Sequence, residues 1–131
     1  MTKKEKELAT HHMKEADEAL RSGHALMKIK DSRGAINRFY YAVFYVVQAL
    51  LILKGKSART HSGCLHLFRE EFIRNGPLSE ETNGILSSLF EGRMEEDYAA
   101  LSEPSKDDAA AAEKSCKTFL KQAKELFDAL I

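Results

Sequence analysis

The side chains best suited to chemistry in this sequence fall in two clusters. The first is Arg93, Asp97 and Tyr98. In a helix turning 100° per residue, Leu86, Leu89 and Phe90 mark the apolar face, and Arg93 and Asp97 project within the same arc. A charge turned inward must be paired or must line a wet cleft, because desolvating it alone costs several kcal/mol. Arg before Asp at i, i+4 is the weaker order for simple helix support, so a surface ion pair explains the placement poorly. Tyr98 lies about 100° further round, able to reach the rim of such a cleft. A buried structural pair, with Arg38 as a further partner for Asp97, is the competing reading.

The second cluster is Arg38, Tyr41, Tyr45 and Gln48, at steps of three, four and three within a segment otherwise rich in hydrocarbon. This is a stripe of hydrogen-bonding groups that either lines a polar groove or rests its hydroxyls at the edge of a core. His61 sits beside Thr60, Ser62 and Gly63, where donors at a helix start could hold an anion or simply cap the helix. Arg59 and His66 stand close in sequence but straddle the approach to a helix.

Metal and nucleotide-hydrolysis chemistries find little support. His61, Cys64 and His66, with His11 and His12, offer no CxxC or HExxH spacing, so no metal or cofactor is expected. Cys64 and Cys116 read as small reduced core residues. No Gly-rich phosphate loop is present.

The elements that must position these residues are helical throughout. Ala9, Met13, Ala16, Leu20, Gly23 and Met27 form one apolar stripe over roughly residues 3–30. Asp31 or Ser32 can cap a second helix that runs to Lys54 and stops at Gly55. That helix is apolar nearly all round and needs cover on several sides, which suggests a homodimer contact. A third helix is expected from about Ser62 to Asn75, before Gly76-Pro77, and a fourth from a Ser79 cap to about Leu101. Ser105 caps a fifth, where Ala109, Ala112, Cys116, Phe119, Ala123, Leu126 and Leu130 keep a three-four rhythm.

With 131 residues, 44% of them hydrophobic, the chain suffices for one core, and residues 1–131 read as a single domain. Formal net charge is zero, which argues against a general coating of nucleic acid or membrane. Its distribution is uneven: residues 28–74 hold nine basic and three acidic residues, whereas residues 75–113 hold two basic and ten acidic. The charged N-terminus resembles no leader, and the run Phe39 to Leu53 falls short of the ~20 apolar residues that span a bilayer. A cytoplasmic protein without membrane contact is expected.

Taken in order, Arg38-Phe-Tyr-Tyr-Ala-Val-Phe-Tyr, Lys54-Gly55, Thr60-His61-Ser62-Gly63, Arg93 and Asp97-Tyr98 resemble a HEPN domain of the small stand-alone prokaryotic kind, over about residues 14–126. The resemblance implies an all-α up-and-down bundle of about five helices that dimerises through its central helices. It also implies a possible nucleotidyltransferase partner protein, often in a toxin–antitoxin pair, and nucleotide or RNA as ligand. Several such proteins are metal-independent ribonucleases, in which an Arg and a His four to six residues later form the active site. Here the position after four intervening residues holds Tyr98, and no His follows Arg93. Arg93 supplies a cation and a bidentate phosphate fork, but the usual general base is missing. The expectation is therefore a nucleotide- or RNA-binding or regulatory module. Its candidate ligand-binding residues are Arg38, Tyr41, Tyr45, His61 and Arg93. Arg93, Asp97 and Tyr98 are catalytic only if the chain is a ribonuclease with its His replaced. A helical scaffold without a small-molecule site is the remaining alternative.

Overall fold

A computed structural model describes the backbone of residues 1–98 and 103–131 and the side chains of residues 1–90 and 103–131. Among the described residues there are five α-helices: α1 (Lys3–Lys28), α2 (Ser32–Leu53), α3 (His61–Phe68), α4 (Glu80–Tyr98) and α5 (Lys106–Leu130). A π-helical segment, Arg69–Arg74, extends α3. Among the described residues there is no strand, so the chain is an all-α bundle.

Side-chain caps begin several of these helices. Thr2 and Glu5 form a capping box at α1, Asp31 accepts from the Gly34 amide at α2, and Ser105 with Asp108 forms a second box at α5. Thr60 caps α3 by accepting from the Gly63 amide, so the helix begins one residue ahead of the expected start. His61 is thereby the first residue of α3 rather than part of a preceding loop.

Two helix ends share one geometry. After α2, the Gly55 amide donates to Ile52 O and the Lys56 amide to Leu51 O, with Gly55 at φ 68°. After α1, the Lys30 amide donates to Met27 O and the Asp31 amide to Leu26 O, with Lys30 at φ 63°. Both are Schellman closures, but only one carries the glycine that the left-handed position favours.

The central element is α2, which packs against α1, α3, α4 and α5. Its Phe39, Val46, Val47, Ala49 and Leu50 are fully buried, and Phe68, Phe72, Leu86 and Phe119 complete the core from the other elements. By length and composition α2 could cross a membrane, yet 61% of its most apolar window is buried inside the chain. That burial is what a core helix shows. The expected third helix divides at Phe68, where the π segment begins; Phe68 and Phe72, four residues apart, both lie in the core with ring centroids 5.0 Å apart. The same turn sends Arg69 to α4, where its Nε donates to Asn83 Oδ1 (2.8 Å) and its Nη2 to Ser87 Oγ (3.1 Å). Arg33 reaches Glu103 at 3.8 Å, so the basic and acidic stretches of the sequence meet at this point.

Candidate functional site

Spacings of three and four along α2 place Arg38, Tyr41 and Tyr45 on one face, each half-buried. The Thr60 cap turns the start of α3 toward that face. There the His61 ring lies 4.1 Å from Phe44 between centroids, and edge-on to Tyr41 at 5.9 Å. The Tyr40 hydroxyl is 3.1 Å from His61 Nδ1. That bond couples the two partners: if the hydroxyl donates, the ring proton sits on Nε2, and if Nδ1–H donates, Nε2 carries the lone pair.

The cluster continues in both directions. The Arg38 guanidinium lies over the Tyr41 ring, 5.8 Å from its centroid, a separation at which a cation is drawn to the ring face. Tyr41 is 6.2 Å from Tyr45, and Tyr45 stacks at 13° on His12 of α1, also at 6.2 Å. Glu15 Oε1 holds His12 Nδ1 at 3.0 Å and His11 Nε2 at 3.3 Å, fixing that end of the row. Phe90 of α4 touches Tyr40 at 6.3 Å. Four elements therefore contribute to one belt of rings with a guanidinium at its edge. Such a belt can stack planar groups, hold an anion beside a ring, and exchange a hydrogen bond through imidazole or phenol.

Of the residues singled out in the sequence, Arg38, Tyr41, Tyr45 and His61 come together here. Arg93, Asp97 and Tyr98 are on α4, three, seven and eight residues beyond Phe90, and their side chains lie outside the described residues. Tyr40, Phe44 and His12 join the belt without having been anticipated in this role. Tyr40 is 3% exposed and reads as core by periodicity, so only its hydroxyl hints at a polar task. His12 precedes Met13 of the α1 stripe by one residue, and that flank position was the available signal.

The other candidates stay apart. Arg59 and His66 are exposed, and His66 Nε2 lies 3.4 Å from Glu70. Cys64 and Cys116 are free and buried, with Cys64 Sγ donating to Ala58 O at 3.6 Å. Among the described residues no group of three His, Cys, Asp or Glu side chains is placed to hold a metal.

Known proteins agree with this architecture. The HEPN domain model matches residues 9–128. A UPF0332 protein of Thermotoga maritima is 35% identical over 130 residues, covering 99% of this chain and 92% of the relative. Two Methanocaldococcus jannaschii proteins, each named "putative toxin", are 32% and 27% identical. They cover 74% and 84% of this chain, and 66% and 81% of their own lengths. With a family match across nearly its whole length and a bundle of the corresponding kind, the chain belongs to the HEPN domain family.

Proposed function

We propose that this chain is a nucleotide- or RNA-binding HEPN module that works as a cytoplasmic homodimer beside a nucleotidyltransferase, in a toxin–antitoxin-like pair. Its ligand site is the belt of Arg38, Tyr41, Tyr45 and His61, and Arg93 is its further candidate ligand-binding residue. The observation that carries this reading is the unbroken succession Arg38, Tyr41, Tyr45, His12, with successive separations of 5.8, 6.2 and 6.2 Å. Nucleobases stack on such rings whatever their sequence, and a guanidinium at the edge meets the phosphate. The names of the two Methanocaldococcus jannaschii relatives favour a toxin–antitoxin setting. Fluorescence anisotropy with labelled oligo-uridine and with ATP tests the site: Arg38→Ala and Tyr41→Ala should each weaken binding, and unchanged binding in both would remove it.

Those same names also favour a second reading, a metal-independent ribonuclease. In it Arg93 steers the phosphate, and Asp97 or Tyr98 takes the place of the missing His. Asp97 would serve as a base only with a raised pKa, which burial favours and a neighbouring cation opposes. Cleavage of a mixed tRNA and mRNA pool in EDTA, compared with Arg93→Ala and Asp97→Ala, separates the two. Cutting lost in both variants makes the chain an enzyme; no cutting above the Arg93→Ala background leaves a binding module.

A further inference from the structure

A concavity of about 400 Å³ lies between α1 and α5, and no residue of the ring belt lines it. Both helices lean on α2; between them Met13 and Leu20 of α1 are half-buried, and Leu120 and Phe127 of α5 show only their edges above the fully buried Val46 of α2. Its two rims are charged. Lys14 stands on the α1 side, and Lys117, Lys121 and Lys124 follow one another along α5 at steps of four and three. Two acids, Asp17 and Asp128, leave the rim cationic. Lys117 is engaged by Glu113 at 3.7 Å, whereas among the described residues Lys14, Lys121 and Lys124 make no ion pair within 4.0 Å.

We infer that this groove docks an acidic amphipathic helix of a partner protein. The α1 wall from Thr10 to Leu20 and the α5 wall from Lys117 to Asp128 each run about 15 Å, close to three helical turns. An apolar floor of that length between two helical walls matches the groove that receives a helix through residues at i, i+3 or i+4, and i+7. The unpaired ammonium groups select the charge of its flanks, since carboxylates above the floor would meet Lys14 on one side and Lys121 and Lys124 on the other. This docking is independent of the nucleotide reading, because no residue of the ring belt takes part.

The test is titration of the intact protein with a fluorescein-labelled synthetic helix of about four turns, Leu on one face and Glu on its flanks. A scrambled peptide of the same composition and a Lys-for-Glu peptide serve as controls. Both Lys121 and Lys124 are exposed, so the double variant Lys121→Glu/Lys124→Glu leaves the core intact. The expected result is binding of the acidic helix by the wild type, about tenfold weaker in the double variant. The lysine peptide should bind the double variant more tightly than the wild type. Equal binding of the scrambled peptide, or no effect of charge reversal, overturns the proposal. Dodecanoate filling the groove while the peptide is refused makes it a lipid site. A wild-type dimer that the double variant breaks into monomers makes the occupant a second copy. Either of these outcomes also overturns the proposal.

Discussion

The Tyr40 hydroxyl meets His61 Nδ1 at 3.1 Å and joins the core helix α2 to the first residue of α3. A hydrogen bond of this kind contributes about 0.5–1.5 kcal/mol net. Tyr40→Phe keeps the ring among Phe44, Phe90 and Tyr41 and removes only the bond, so urea unfolding should report a loss in that range. His61→Ala should cost more, since it also removes a ring 4.1 Å from Phe44. The double variant should cost less than the two losses added together, because both changes delete the same bond. Strict additivity would show that the two groups act separately in solution.

Ligand binding is expected to divide Tyr41 from Arg38 by the kind of contact each makes. Base stacking on an aromatic ring is worth about 1–3 kcal/mol, so Tyr41→Ala should weaken oligo-uridine binding by about five- to 150-fold, while Tyr41→Phe retains most of the affinity. Arg38→Ala removes a phosphate contact and should lower the slope of log affinity against log salt by about one. A Tyr41→Phe variant as weak as Tyr41→Ala would move the argument from the ring to the hydroxyl.

Much of the bundle could be read before any coordinates, and the reasons are local. The α1 stripe, the α2 run and the rhythm of α5 follow from burial periodicity, and Ser105 and Gly55 mark boundaries by chemistry that acts within a few residues. The division of the third helix at Phe68 was not legible. Leu65, Phe68 and Phe72 keep a spacing that an ordinary α-helix satisfies, so nothing local announces the π turn, and the bond from Arg69 to Asn83 is a tertiary contact that no spacing reveals. In the site, Arg38, Tyr41 and Tyr45 announced themselves as polar groups on an apolar helix. Tyr40 and Phe44 did not, because a buried ring looks the same in sequence whether it fills the core or supports an imidazole. His12 comes from another helix, and no spacing rule links it to Tyr45.

The two Schellman closures predict opposite responses to glycine. Lys30 occupies at φ 63° the position that Gly55 occupies at φ 68°. Lys30→Gly relieves the side-chain penalty of the left-handed region, about 1–2 kcal/mol, offset by about 0.5–1 kcal/mol of added chain entropy in the unfolded state. A net gain of a few tenths to about 1 kcal/mol is expected in thermal unfolding. Gly55→Ala should lose about 1 kcal/mol, and that loss is pure backbone strain because a Cβ there would touch nothing within 4 Å. If Lys30→Gly destabilises, the lysine stem contributes packing that outweighs its backbone conformation.

Gly23 should not tolerate the substitution that helix propensity recommends. Replacing a mid-helix glycine by alanine ordinarily gains about 0.5–1 kcal/mol. Here the added Cβ would run into Phe39 Cε1, on a ring that is fully buried between α1 and α2. Overpacking of this kind costs about 1–3 kcal/mol, so Gly23→Ala should be destabilising on balance. Adding Phe39→Leu to Gly23→Ala should then cost less than Phe39→Leu alone costs in the wild type, because the smaller side chain makes room for the methyl. A stabilised Gly23→Ala variant would mean that α1 and α2 separate more readily than their packing indicates.

Alkaline conditions should expose the burial of Cys116. Desolvation, reinforced by the neighbouring Glu113 charge, pushes its thiol from the ordinary 9.0 up to about 12. Between those values the unfolded chain releases a proton that the folded chain retains, so the folded state binds more protons and stability falls as pH rises. The contribution is complete below pH 9.0 and is lost progressively toward pH 12, at up to about 1.4 kcal/mol per pH unit. Cys116→Ala lowers stability at neutral pH by leaving a small void, so the quantity to compare is the slope of unfolding free energy between pH 8.5 and about 10. That slope should be steeper in the wild type than in the variant, and the wild-type thiol should react slowly with a disulfide reagent until the chain is unfolded. Burial raises the Cys64 thiol as well, to a smaller extent than Cys116, so Cys64→Ala should flatten the profile less. Identical slopes in the wild type and Cys116→Ala would mean that the α5 packing around this thiol opens to water before the chain unfolds.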